Sequence, residues 1–218
     1  MLTRELISNS IPYLHTNDSV FHALQLMNDY HVAHLPVVDA EQYLGIISEE
    51  QLLQLDDEKT IGELQIADGS TSVNASDHFL KAIQIAVVHK LSIVPVLEEK
   101  QLVGIVTYND LLKNASEFMS LNEPGALIVL ELETKNYSFT EINRIVESND
   151  AQITQLNTFT DQENGTTQVT IRVSKVEVSD IISTFQRYEY NVKYYFGEEL
   201  YENELRTNYD NLMNYLKI

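Results

Sequence analysis

The sequence has no cysteine and no tryptophan, and only 4 prolines and 7 glycines among its 218 residues. Without cysteine there is no disulfide, no thiolate zinc site and no cysteine nucleophile. Basic side chains are scarce as well: 14 Lys and Arg stand against 33 Asp and Glu, a formal net charge of -19. The acidity is spread over both halves. Neither half fits a nucleic-acid binder, whose affinity rests on Lys and Arg neutralising phosphates. No stretch approaches the ~18 apolar residues of a membrane span, and Met1 to Leu6 has neither the apolar core nor the cleavage site of an export signal. The expectation is a cytoplasmic protein with no nucleic-acid and no membrane partner. Gly-x-Ser-x-Gly, Walker-type glycine loops and His-Glu-x-x-His are all missing, so no enzyme activity is expected. No metal site is expected either, because His31 and His34 fall at a helix-to-strand bend with no carboxylate at ligand spacing.

What is present is a core-forming chain with 44% hydrophobic residues, long enough for one large or two small domains. A shift of 59 residues superimposes two stretches of the first half, pairing Asp18 with Asp77, Ala23 with Ala82, Pro36 with Pro95, Gly45 with Gly104 and Leu52 with Leu111. Each copy predicts the same elements. Asp18 and Asp77 are candidate N-caps. The stripes Val20, Ala23, Leu24, Met27 and Phe79, Ala82, Ile83, Ala86 follow at i, i+3, i+4, i+7 and predict helices burying one face. Short apolar strands contain Pro36 and Pro95, which imply an edge or strand-start position. A second strand follows in each copy, then a short helix over residues 49–55 or 109–115. Units this small should share a core by packing together.

The pattern resembles the CBS-domain family, whose tandem copies form a module that usually binds adenosine-containing ligands in clefts between them. The resemblance covers residues 1–118. It rests most specifically on Gly104-Ile105-Val106-Thr107-Tyr108-Asn109-Asp110, the Gly-hydrophobic-hydrophobic-Thr/Ser-x-x-Asp signature. It implies that Asp110 meets a ribose, that Thr107 meets ribose or phosphate, and that Ser92 and Ile93, just before Pro95, flank the base. It also implies a contribution from the segment Ile66 to Asp68 and a phosphate-facing pair at His89 and Lys90. AMP, ADP, ATP or S-adenosylmethionine is the ligand type implied; no tightly held cofactor is. Copy one departs from the signature. Ser48 keeps the hydroxyl, Gln51 replaces the carboxylate, and His34 stands before Pro36 where a small residue is common, so that site is expected to be degenerate. Thr107 and Asp110 also fit a plain helix cap with no ligand.

Residues 119–125 end in a Pro-Gly turn and read as a linker. Residues 126–197 then follow the order βαββαβ, predicting a ferredoxin-like sandwich. The segment from Ala126 to Glu133 alternates Leu127, Val129 and, less cleanly, flanking apolar residues, and reads as a buried strand. Ser138 and Glu141 match a capping box before Ile142, Ile145 and Val146. Asn164-Gly165 marks a hairpin before Val169, Ile171 and Val173. Val178, Ile181, Ile182 and Phe185 form a second helical stripe, and residues 192–196 the last strand. After a CBS pair, this part resembles the ACT domain of AcuB-type proteins. ACT domains often bind amino acids through a Pro-Gly loop after the first strand. Here Pro124-Gly125 precedes that strand, so the amino-acid site is not carried over, and a pairing role is the simpler expectation. Residues 198–218 place Tyr201, Leu205, Tyr209, Leu212 and Leu216 on one helical face, to be covered by the chain itself or across a homodimer.

The fold class expected is therefore α/β (α+β), with repeats at 1–59 and 60–118, a linker, an ACT-like domain and a terminal helix. The leading functional expectation is a non-catalytic regulatory sensor of an adenosine-type metabolite, acting as a homodimer, with a partner enzyme as a further possible partner that a scaffold would also serve. Two others stand beside it: a ligand-free scaffold whose cleft is filled by side chains such as His34 or Tyr108, and an amino-acid sensor using the second half.

Overall fold

The computed structural model describes residues 1–8, 10–40, 42–66 and 71–197. The terminal helix expected at 198–218 and the candidate Asp68 lie outside the described residues. Contacts divide the chain into two units, Met1–Ser116 and Glu117–Ile218.

In the first unit the repeat is visible element by element. The first copy gives β1 (Leu14–His15), α1 (Val20–Tyr30), β2 (His34–Asp39), β3 (Gln42–Ser48) and α2 (Glu49–Leu52). The second gives β4 (Val73–Asn74), α3 (Phe79–His89), β5 (Ile93–Glu98), β6 (Gln101–Thr107) and α4 (Tyr108–Phe118). Their strands form one sheet in the order β1-β2-β3-β6-β5-β4. The halves meet where Gln42 pairs with Gln101, two residues that the 59-residue shift itself relates. The predicted stripes are core: Val20, Ala23, Met27, Phe79, Ala82 and Ala86 are buried, and Leu24 and Ile83 partly so.

Both first helices stop the same way without glycine. His31 and Lys90 each take φ 54°, and the next amides close the motif, Val32 N to Met27 O at 3.0 Å and Leu91 N to Ala86 O at 2.9 Å. The helix starts differ from expectation by one residue. Ser19 caps α1 by accepting from His22 N, and His78 caps α3 by accepting from Leu80 N. Asp18 and Asp77 instead close the preceding turn, accepting from His15 N at 2.7 Å and Asn74 N at 2.8 Å; a short carboxylate satisfies a backbone amide three residues back as readily as one ahead. Pro36 and Pro95 fall on strands with neighbours on both sides, but β1 and β4 join only from Val37 and Val96 onward. The prolines therefore sit at the open end, where no ladder bond is lost. Helix α2 is shorter than predicted, ending before the helix-poor Asp56-Asp57, whereas α4 runs on to Phe118.

The segments before the two copies are exchanged. Residues 1–8 run along the second copy, with Thr3 N donating to Asp77 O, Arg4 N to Ala75 O and Ser8 N to Ile105 O, and Leu6 sits in that copy's core. Residues 59–62 run along the first copy, with Val20 N donating to Lys59 O, Ile61 N to Asp18 O and Gly62 N to Thr16 O.

The second unit contains β7 (Ala126–Glu133), α5 (Phe139–Glu147), β8 (Ile153–Asp161), β9 (Thr166–Val173), α6 (Ser179–Arg187) and β10 (Asn191–Phe196). The antiparallel order β10-β7-β9-β8 is the ferredoxin-like arrangement expected, with Ile142, Ile145, Val146, Ile181, Ile182 and Phe185 packed on Val169, Ile171 and Val173. Strand β7 is buried as read, but its facing is set otherwise: Ala126, Ile128 and Leu130 belong to the core cluster, while Val129 is buried outside that cluster and Leu127 is half-buried. An uninterrupted apolar run carries no polar residue to set its facing, and one step flips every side chain. Gly125 is required on its own account, since a Cβ there would strike the Val173 carbonyl, and its φ of 158° is one that side-chain-bearing residues avoid. Pro-Gly thus serves strand entry rather than a ligand loop.

Candidate functional site

The strand-to-helix junctions of the two copies are built alike. In copy two, Thr107 Oγ1 donates to Asp110 Oδ2 at 2.6 Å, Thr107 N donates to the same oxygen at 3.3 Å, and Asp110 N donates back to Thr107 Oγ1 at 3.1 Å. In copy one, Ser48 N and Ser48 Oγ donate to Gln51 Oε1 at 2.9 and 3.1 Å, and Gln51 N donates to Ser48 Oγ at 3.2 Å. Both are reciprocal capping boxes. They differ in the arm left over. Asp110 Oδ1 has no hydrogen-bond partner among the described residues and is an anionic acceptor, whereas Gln51 offers an amide donor. The leftover arm is thus a charged acceptor in copy two and a neutral donor in copy one.

The fold brings most of the other candidates to this junction. Ile93 is the strand partner of Thr107 and Pro95 of Ile105, and Tyr108 N donates to Ser92 O at 3.0 Å. Ile66 packs on the cluster that contains Ile93. His89 and Lys90 end α3 immediately before Leu91 and Ser92, both exposed, and Lys90 makes no ion pair among the described residues. Ile93 and Pro95 are buried, whereas Thr107, Asp110 and Ser92 are half-buried.

Copy one places His34 beside Pro36, which is paired with Ile46, and His34 does not point to solvent as a lone surface histidine would. Its Nδ1 lies 3.1 Å from Ser92 Oγ and accepts from Ser92 N at 3.2 Å. Ser92 Oγ accepts in turn from Ala33 N at 3.0 Å. Burial lowers the His34 pKa from its usual value. The sequence offered His34 as a side chain that could fill the cleft, but gave no sign that it meets Ser92, 58 residues away. Tyr108, the other suggested plug, is instead 52% exposed and lines a small apolar groove of about 100 Å³ with Val87 and Leu112.

A second asymmetry was not foreseen. Tyr43 hydroxyl lies 3.1 Å from Thr71 Oγ1, and burial raises the Tyr43 pKa against the opposing effect of that bond. The repeat-related residues, Leu102 and Pro12, make no such pair, and a cavity of about 220 Å³ lies there, lined by Tyr13, His15, Val38, Gln101, Leu102 and Val103.

In the second unit the loop after β7 borders a cavity of about 470 Å³ whose lining includes Asn136, Tyr188, Tyr190 and the acids Glu131, Glu133, Glu141 and Glu189. The nearby lysines are already engaged, Lys193 with Glu131 at 2.6 Å and Lys135 with Glu133 at 2.8 Å. Tyr190 donates to Glu141 Oε2 at 2.9 Å, and burial together with that carboxylate pushes the phenol up to about 12. The acids around this cavity would repel an amino acid's carboxylate and attract its ammonium group. Among the described residues no group of three or more His, Asp or Glu is placed to hold a metal, and no helix is long and apolar enough to cross a membrane.

Comparison with known proteins adds the following. The family model described as CBS domain matches residues 4–58 and 62–117. The uncharacterized protein YlbB of Bacillus subtilis is 30% identical over 115 residues, which are 50% of this chain and 78% of that protein. The inosine-5'-monophosphate dehydrogenase of Staphylococcus saprophyticus is 29% identical over 136 residues, 57% of this chain; the chain spans only 26% of that enzyme's length. Among solved structures, a CBS domain pair/ACT domain protein of Thermotoga maritima superimposes with a TM-score of 0.50 at 24% identity, covering 54% of this chain and 98% of that one. A Vibrio cholerae protein assigned as the acetoin utilization protein AcuB gives a TM-score of 0.49 at 26% identity, with 56% and 95% covered.

Proposed function

The chain belongs to the CBS-domain family, and from that premise we propose that its tandem repeat is a non-catalytic sensor of an adenosine-containing metabolite of the AMP, ADP, ATP or S-adenosylmethionine type. The observation that carries this reading is the unused Oδ1 of Asp110. The cap needs one carboxylate oxygen, and the other remains to accept a ribose hydroxyl. Thr107 and Ser92 border the same junction, and Lys90 supplies a cation for an attached phosphate in a chain whose overall field repels anions. Copy one, with Gln51 and His34, is degenerate. The sensor works as a homodimer regulating a partner enzyme, and the ligand acts by preferring one arrangement of the dimer over another.

Calorimetric titration of the full chain with AMP, ADP, ATP and S-adenosylmethionine tests this. Heat from at least one, lost in Asp110→Ala, is expected; silence from all four would sink the reading. One observation favours a second reading, a ligand-free scaffold: the His34 ring already spans from copy one to Ser92 of copy two, as a plug would. Silence in the titration together with an unchanged dimer selects that alternative.

A further inference from the structure

The tip of the β8–β9 hairpin carries the chain's single Asn-Gly step, Asn164-Gly165, and both residues are exposed. Gly165 takes φ 64°, and a Cβ built there would meet nothing within 4 Å. Its N–H donates to no partner among the described residues, so an unhindered backbone nitrogen stands next to a primary amide. Asp161 holds that amide over the turn: Asn164 N donates to Asp161 Oδ1 at 3.2 Å, and Asn164 Nδ2 donates to Asp161 Oδ2 at 2.8 Å. The Gly165 carbonyl does something different. It accepts from Thr134 N at 3.0 Å and from Thr134 Oγ1 at 3.1 Å, and so fastens the turn over residues 134–136, which directly follows β7, to the hairpin tip.

We infer that Asn164 is a self-modification site, where the chain converts its own asparagine to isoaspartate and thereby unfastens the turn after β7. The Gly165 backbone nitrogen gives its proton to water and attacks Asn164 Cγ. As this C–N bond closes a five-membered succinimide, the Cγ–Nδ2 bond breaks, and the departing nitrogen takes a proton from water and leaves as ammonia. Water then opens the ring. Attack at Cγ restores a normal peptide bond and leaves aspartate; attack at the backbone carbonyl leaves isoaspartate, whose main chain runs through the former side chain. One water is consumed and one ammonia released, with nothing oxidised or reduced. Either product adds a carboxylate beside Asp161 and Glu163, and like charges spread the tip. Isoaspartate also inserts a methylene into the main chain immediately before Gly165, which draws the Gly165 carbonyl away from Thr134. Asn136 of the released turn lines the acidic cavity, so the modification loosens that cavity's rim.

The full chain, held folded at mildly alkaline pH, is digested at intervals and its peptides are followed by mass spectrometry. The peptide containing residue 164 is expected to gain the mass of an amide becoming a carboxyl before any other asparagine peptide does, and to be labelled by an isoaspartate methyltransferase. Asn164→Gln, which would have to close a larger ring, is expected to stay unlabelled. Absence of the gain at residue 164 in the folded chain overturns the proposal; if the same chain in urea is modified there, the fold is what protects the step. Hydrogen exchange reads the consequence. Protection of the Thr134 amide is expected to fall about tenfold in aged wild type and to hold in equally aged Asn164→Gln. Isoaspartate at residue 164 with unchanged Thr134 protection would overturn the unfastening.

Discussion

His34 of the first repeat and Ser92 of the second are joined by both the backbone and the side chain of the serine: the imidazole Nδ1 accepts from Ser92 N at 3.2 Å and lies 3.1 Å from Ser92 Oγ. Because Nδ1 accepts from Ser92 N, the neutral ring carries its hydrogen on Nε2, and Ser92 Oγ, which accepts from Ala33 N, turns its own proton to the ring. Protonating Nδ1 turns that acceptor into a donor facing a donor.

Stability should follow this ring's charge. The folded-state pKa is lowered by burial, so the contribution is complete above the unfolded value of about 6.5 and is lost as pH falls through the folded value. Thermal melts of wild type and His34→Gln at pH 7.5 and pH 5 measure it. The wild type should lose more than the variant on acidification; equal losses would show that the ring does not titrate with folding.

Asp110 has two separable duties. Asp110→Asn retains an oxygen for the box, as Gln51 does in copy one, so thermal stability should fall by no more than about 1 kcal/mol, while nucleotide heat is lost. Thr107→Val should do more harm to the fold, costing about 1–2 kcal/mol through the missing cap. Chemical denaturation beside calorimetry separates the two, and equal loss of stability in both variants would argue that the carboxylate is structural only.

Lys90 pays for its cationic position with backbone strain, since φ 54° is unfavourable for any residue with a Cβ. Lys90→Gly should stabilise the unit by about 0.5–1 kcal/mol and at the same time weaken binding of phosphate-bearing ligands relative to adenosine. Gain in melting temperature without a change in that preference would remove Lys90 from the site.

In the second unit, Tyr190 is the phenol to watch. Its pKa is raised to about 12 by burial and Glu141, so its contribution to stability holds below the unfolded value of about 10 and disappears as pH rises through 12. Tyrosinate absorbance during alkaline titration should lose its last step in Tyr190→Phe.

Gly125→Ala should destabilise by about 1–3 kcal/mol, because the added Cβ strikes the Val173 carbonyl. Urea unfolding of the full chain measures it, and a neutral result would show that strand entry can shift aside.

Where a polar residue interrupted the apolar pattern, the sequence announced the structure. The stripes of α1, α5 and α6 were legible because charged or amide side chains mark the outer face at helical spacing, that of α3 through its 59-residue relation to α1, and the hairpin before Val169 because Asn-Gly suits few other conformations. The facing of β7 was not legible, for Ala126 to Leu130 has no polar residue to break the symmetry. The helix caps slipped by one because Asp18-Ser19 and Asp77-His78 each offer two competent acceptors. At the site, the Thr107 to Asp110 spacing was readable from the signature, since both partners lie within one turn. The His34 to Ser92 bond was not, because it joins residues 58 apart, and no local preference encodes which sheet edge a histidine will find.

The exchanged leading segments carry a consequence for how this molecule is put together. Cutting the chain between residues 58 and 59 would leave each fragment holding the strap that belongs to its sibling, so neither piece would be finished alone, and mixing them should reconstitute the sheet as a pair of interlocked hands. Duplication of an ancestral repeat would then have fused two clasped partners rather than appended a second self-sufficient one.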